Sequence, residues 1–207
     1  MTKLNAGLAL DDIEDNGQKS QPPLVSGLIL AGGRGSRVDG QDKGLISFQG
    51  QPLIERQLNW LNSQVSEILI SANRNLDQYT HYGHPVIRDQ RTSFPGPLEG
   101  IFQGLADCTS EWLFVVPVDV PFLPENLIPH LFAEIKPGER AIYLKSQERE
   151  HYLLLLIHKS LSEALKRYND SGQKRVRDFL HSVGARGVDL GIPETRFANL
   201  NQLDDFL

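Results

Sequence analysis

Cysteine occurs once in the 207 residues, as Cys108, so the chain can form no internal disulfide and no cysteine-only metal site. That usage suits a reducing cytoplasm, the compartment expected for the protein. Cys108 falls on the apolar side of a predicted helix, as a small core residue rather than a nucleophile. Long apolar runs are also lacking. None approaches the ~18 residues needed to span a bilayer, and the N-terminal stretch has no basic start followed by a long apolar core. A soluble, unexported protein is therefore expected. Positive charge is short too: a net charge of -5 argues against a broad electrostatic grip on nucleic acid, so recognition of an anion requires a local cluster. Histidine offers no convincing metal pair, because Gly83 and Pro85 place His81 and His84 on a loop. Internal repeats and coiled-coil heptads are absent.

What is present is enough apolar material, 40% of residues, for one sizeable core but not two comfortable ones. Residues 24–207 are expected to form a single domain. Residues 1–23 carry Asp11, Asp12, Glu14 and Asp15 with little apolar surface and predict a disordered tail. Leu8, Leu10 and Ile13 leave open a short amphipathic turn that docks on a partner.

The chain is organised around the stretch from Val25 to Ile46. The apolar run Leu28-Ile29-Leu30 predicts a buried strand that stops at Ala31-Gly32-Gly33. Glycines at 32, 33 and 35 let backbone N–H groups approach an anion, and Arg34, Arg37 and Lys43 add local positive charge, partly offset by Asp39 and Asp42. The P-loop pattern GxxxxGK[ST] is missing, and GxGxxG fails at Val38.

Further on, Pro52, Ile54, Leu58 and Leu61 predict a helix ending at Asn62-Ser63, and Val65 to Ala72 a strand, which together make a βαβ unit. Pro85 to Arg88 predicts a short strand delivering Asp89, and Pro95-Gly96-Pro97-Leu98 opens a helix with Leu98, Ile101 and Leu105 on one face. Trp112-Leu113-Phe114-Val115-Val116 reads as a parallel strand buried on both faces, ending at Pro117-Val118-Asp119-Val120-Pro121. A carboxylate at that strand end sits where open α/β sheets place ligands. Pro124 predicts the start of a helix carrying Leu127, Ile128, Leu131, Phe132 and Ile135, closed by Pro137-Gly138. Strands follow at Ala141 to Leu144 and Tyr152 to His158. Two helices come last, one with Leu161, Ala164, Leu165 and Tyr168, the other with Val176, Phe179, Leu180 and Val183.

Leu30-Ala31-Gly32-Gly33, Arg37 and Asp42-Lys43-Gly44-Leu45 resemble the LAGGxxxRM...DKxL signature of nucleotidyltransferases that activate sugars, polyols or pterins, with Val38 in place of its methionine. With the Pro-Gly-Pro-Leu segment, the wording most resembles the molybdenum cofactor guanylyltransferase family, from about Val25 to the C-terminus. The resemblance implies a three-layer α/β/α sandwich with a mostly parallel, Rossmann-like sheet. It further implies transfer of GMP from GTP to molybdenum-bearing molybdopterin, releasing pyrophosphate, with Mg²⁺ as cofactor. Carried over residue by residue, nucleotide binding falls to Leu30, Ala31, Gly32, Gly33, Lys43, Ser71, Asp89 and Asp119. Catalysis falls to Arg37, Lys43 and Asp119, and the metal to Asp119. Ser71 stands where the family commonly has asparagine, with Asn73 two residues later; a serine lacks the paired donor and acceptor of an amide. The segment Glu148-Arg149-Glu150-His151 resembles the acceptor-side ERxHP motif, with Tyr152 replacing its proline. Gly172-Gln173-Lys174-Arg175 fits either a turn meeting the acceptor's phosphate or a solvated helix start. Phe197-Ala198-Asn199-Leu200-Asn201 resembles an ending whose asparagines approach the active site, while Asn201 equally suits a helix N-cap. A monomer, with transient contact to a molybdoenzyme or other cofactor-assembly protein, is expected. A cytidylyltransferase, a sugar-nucleotide enzyme and a non-catalytic cofactor-delivery module stand as alternatives.

Overall fold

The computed structural model describes residues 24–32, 41–90 and 96–200. The tail, Gly33, Arg34, Gly35, Arg37 and Asn201 lie outside them. A seven-stranded sheet forms the middle layer, in the order β5-β4-β1-β6-β8-β7-β9. Its strands are β1 (Val25–Leu30), β4 (Glu67–Ser71), β5 (Val86–Ile87), β6 (Trp112–Pro117), β7 (Ala141–Lys145), β8 (Glu150–His158) and β9 (Arg186–Val188). Six run in one direction, and β8 alone opposes its neighbours β6 and β7. The β7–β8 pair is thus a hairpin, and of the two strands read at 141–144 and 152–158 only the second runs against the common direction. The seven residues between those readings, 145–151, are too few for a parallel crossover, which takes a dozen residues or more.

Alternation along the strands builds two cores. Val25, Ile29, Ile68, Ile70, Phe114 and Val116 face α1 (Leu53–Asn62) and α4 (Leu127–Ala133). Leu28, Leu69, Leu113 and Val115 face the other layer, α3 (Pro97–Asp107), α5 (Ser162–Asp170) and α6 (Val176–Ser182). Strands buried on both faces need a near-continuous apolar sequence, which is what Trp112 to Val116 supplies. Glycine lets α3 lie close to the sheet: a Cβ on Gly104 would come within 2.7 Å of Leu28 Cδ2.

Some boundaries shift from the sequence reading. Pro52 caps α1 and pairs with Ser47, joining the two-residue strands β2 (Ser47–Phe48) and β3 (Gln51–Pro52). Cys108 ends α3 as its C-cap, buried, with its N–H on Gly104 O. The helix expected from Pro124 begins only at Leu127, because Asn126 takes a left-handed φ of 58° that an α-helix cannot incorporate. The short α2 (Leu76–Thr80) and β9 had no periodicity long enough to register. Among the described residues no helix is long and apolar enough to cross a membrane.

This topology positions a site. From β1 the chain moves by α1 to β4 on one side; from β6 it moves towards β7 and β8 on the other. The strand order therefore reverses between β1 and β6, and the crevice beyond their carboxyl ends is where open α/β sheets bind ligands.

Candidate active site

Lys43 follows β1 and Asp119 follows β6, and they meet over that crevice. Lys43 Nζ donates to Asp119 Oδ2 at 2.7 Å, with side chains only 18% and 15% exposed. The second oxygen, Oδ1, accepts from Asn199 Nδ2 at 3.2 Å, and the Asp119 carbonyl accepts from Leu200 N at 3.0 Å. From beneath, buried Gln57 of α1 donates its amide to Val120 O at 2.6 Å. The carboxylate is thus aimed by contacts on either side of it in sequence.

Lys43 is held by its neighbour. Asp42 caps the 3-10 turn Lys43–Leu45 by accepting from Gly44 N at 3.3 Å. The buried Asp42 carboxylate also accepts from Tyr79 Oη at 2.6 Å and Asn75 Nδ2 at 3.1 Å, and lies 3.9 Å from the Arg74 guanidinium. Burial, reinforced by Asp42, pushes the Tyr79 hydroxyl far above its ordinary pKa, so it acts as a donor. Arg74 also donates to Gln41 O at 2.9 Å. The residues after β4 therefore fasten the lysine loop.

On the β4–β5 side, Asn73 and Asp89 pair reciprocally: Asn73 Nδ2 donates to Asp89 Oδ2 at 2.8 Å, and Asp89 N donates to Asn73 Oδ1 at 3.0 Å. Burial raises the Asp89 carboxyl, Asn73 opposes the rise, and the charge of Glu99 adds to it. A Cβ on Gly32 would approach Asn73 Nδ2 to 2.9 Å, so the glycine permits close contact between this pair and the loop after β1. Ser71 ends β4. Its side chain is buried, its hydroxyl 2.6 Å from where a Cβ on Gly100 would stand, and Asn73 rather than Ser71 meets Asp89. Leu30 and Ala31 contribute backbone: Leu30 O accepts from Val118 N at 3.1 Å, and Ala31 N donates to Ser71 O at 2.8 Å.

Ala31 and Gly32, Lys43, Asp89 and Asp119 thus follow the carboxyl ends of β1, β5 and β6, whereas Gly33 and Arg37 lie outside the described residues. Sequence reasoning missed Tyr79, Gln57 and Glu194. Gln57 and Tyr79 sit in helices as ordinary buried positions, and Glu194 acts on residues more than 40 positions away.

A mostly parallel α/β sheet with a lysine and a carboxylate meeting at its switch point has its polar cluster where open α/β sheets bind ligands. The chain belongs to the family of the MobA-like NTP transferase domain, whose family model matches residues 27–187. A molybdenum cofactor guanylyltransferase of Serratia proteamaculans (strain 568) is 41% identical over 183 residues, 88% of this chain and 92% of the relative. One from Yersinia pseudotuberculosis serotype O:1b (strain IP 31758) is 41% identical over 179 residues, 86% and 91% of the two chains. In fold, the chain is similar to molybdopterin-guanine dinucleotide biosynthesis protein A from Archaeoglobus fulgidus, with a TM-score of 0.73, 22% identity, and 87% and 94% coverage.

Proposed function

We propose that residues 24–207 transfer GMP from GTP to molybdenum-bearing molybdopterin, forming the guanine dinucleotide cofactor and releasing pyrophosphate. The observation that carries this reading is the 2.7 Å meeting of Lys43 and Asp119, 76 positions apart, at the strand-order reversal. The two relatives just described carry that activity in their names and cover nearly the whole folded region.

The chemistry asks for alignment and charge neutralisation rather than for a protein base. The terminal phosphate of the acceptor is ionised near neutral pH and attacks the α-phosphorus of GTP; the bond to the β-phosphate oxygen breaks, and pyrophosphate leaves with the electron pair. Two polyanions must be brought together for this. Lys43 and the backbone N–H groups after β1 offset their repulsion, and Arg37 joins them by resemblance. Among the described residues no group of three or more His, Cys, Asp or Glu side chains gathers for a metal ion. Asp119 would hold Mg²⁺ together with substrate phosphates, since Mg²⁺ is commonly bound through one or two carboxylates plus phosphate oxygens. When bound, Mg²⁺ neutralises phosphate charge in the transition state.

The test is pyrophosphate release with molybdopterin and each of the four common triphosphates. Release with GTP alone is the expected result. Release with CTP in its place would convert the reading to a cytidylyltransferase, and no release with any triphosphate would favour a delivery module. Lys43→Ala and Asp119→Ala should each fold and lose about 10²-fold or more in turnover, the second also losing Mg²⁺ dependence. Normal turnover by either variant overturns the mechanism.

A further inference from the structure

Glu194 lies in the 3-10 turn Glu194–Phe197, far in sequence from the groups it gathers. Its Oε2 accepts from Ser146 Oγ at 2.5 Å and from His151 Nε2 at 3.1 Å, and its Oε1 accepts from Arg149 Nε. All three donors belong to the β7–β8 hairpin tip. Ser146 in turn organises that tip: its Oγ accepts from Glu148 N and Arg149 N, both at 3.2 Å, and its N donates to Arg149 O at 2.9 Å. The carboxylate is 16% exposed, and these three donors hold it below the usual range against the opposing effect of burial.

The same segment reaches the reaction centre. Phe197 packs on the His151 ring at 4.3 Å; two residues later, Asn199 bonds the Asp119 carboxylate, and Leu200 N bonds the Asp119 carbonyl. Residues 194–200 therefore join the hairpin tip to the strand-end aspartate as one strap. Arg149 completes the pattern. Glu194 takes its Nε, while its two terminal nitrogens make no hydrogen bond among the described residues and the side chain is 60% exposed. A guanidinium fixed at Nε still presents two donors in a planar fork that matches a phosphate.

We infer that Glu194 is a positioning residue for the acceptor: it sets Arg149 and His151 at the hairpin tip and, through residues 194–200, registers them on Asp119. The ligand class is a phosphate monoester, which rests on the function proposed above. Glu194 itself does not contact the acceptor, since its oxygens are already engaged and its charge repels an anion.

The experiment compares the full-length wild type with Glu194→Ala, Glu194→Gln and the remote Glu139→Gln. Pyrophosphate release is followed against acceptor concentration at saturating Mg·GTP, and nucleotide binding is read separately as the GTP-induced rise in Tm. For Glu194→Ala the acceptor KM should rise about tenfold with the nucleotide shift intact. Glu194→Gln, which keeps an acceptor oxygen, should recover part of the loss, and Glu139→Gln should leave KM unchanged. An unchanged acceptor KM in Glu194→Ala overturns the inference, as does a parallel loss of nucleotide binding, which would mark a general structural defect. Wild-type protein that releases no pyrophosphate removes the acceptor assignment, and this inference with it. An active wild type beside an unaffected Glu194→Ala removes the inference alone.

Discussion

Position 44 has no room for a side chain, because the Tyr79 hydroxyl and ring occupy the space a Cβ would enter. That hydroxyl is also the closest donor to Asp42, the residue that caps the lysine turn. Gly44→Ala must therefore displace Tyr79 or the turn, at a cost of about 1–3 kcal/mol typical of overpacking, and should lower kcat by moving Lys43. Tyr79→Phe keeps the ring but removes the donor, costing about 1 kcal/mol. In the double variant the collision with oxygen is relieved, so its destabilisation, measured by urea unfolding, should fall below the sum of the single effects. Strict additivity would mean that the Tyr79 hydroxyl does not limit the space at position 44. Residue by residue, the motif members were visible in sequence because Asp42, Lys43, Gly44 and Asp119 stand in short, recognisable strings. Tyr79 and Glu194 were not, since each acts through a contact between distant positions. Ser71 and Asn73, two residues apart at the end of β4, have different neighbours. Strand alternation turns the Ser71 side chain under α3, and Asn73, just beyond the strand, meets Asp89.

Among the elements, β1, β4 and β6 were legible because strands buried on both faces leave unbroken apolar runs, and α1, α3, α5 and α6 because their buried faces recur at helical spacing. Three residues, Arg186-Gly187-Val188, carry no such pattern, yet they form β9 beside β7. What secures this edge is tertiary. Arg186 Nε donates to Glu139 Oε1 at 2.5 Å, one Arg186 Nη donates to Glu139 Oε2 at 2.9 Å, and the same nitrogen donates to Glu134 O at 2.7 Å. The bond from Arg186 is the main reason the Glu139 carboxyl is held down to about 2, from an ordinary 4.5. The sign follows from proton uptake. Between those two values the unfolded chain binds the extra proton, so the contribution is fully present above about pH 4.5 and is lost as pH falls through about 2. Glu139→Gln should accordingly be less stable than wild type at pH 7, and the gap between them should narrow steadily as unfolding is repeated from pH 4.5 down to pH 2. A constant gap across that range would show that Glu139 does not titrate as the pairing requires. Because the pair is partly solvent-exposed, high salt should shrink the difference at pH 7.

Across the whole molecule, β6 is the seam between two arrangements. On one side, the parallel strands β1, β4 and β5 end in loops that carry Lys43, Asn73 and Asp89. On the other, the β7–β8 hairpin carries Arg149 and His151, tied back by residues 194–200. Asp119 leaves the carboxyl end of β6 and touches both sides, through Lys43 and through Asn199. On the proposed function, a nucleotide on the first side and an acceptor on the second would meet near Asp119, with Lys43 and Arg149 supplying local positive charge in a chain whose net charge is -5. Binding to such a preformed centre must appear as stability. Any ligand that binds only the folded state adds RT ln(1 + [L]/Kd), about 2.7 kcal/mol at a hundredfold excess over Kd. Mg·GTP should therefore raise the Tm of the wild type by several degrees, while GTP with excess chelator should raise it less. In Asp119→Ala the ligand-free Tm should fall, because removing one partner of a largely buried ion pair is destabilising, and the additional rise due to Mg²⁺ should disappear. Retention of that Mg²⁺-dependent increment in Asp119→Ala would move the metal away from the end of β6, and the seam would no longer explain why this sheet changes its strand pattern where it does.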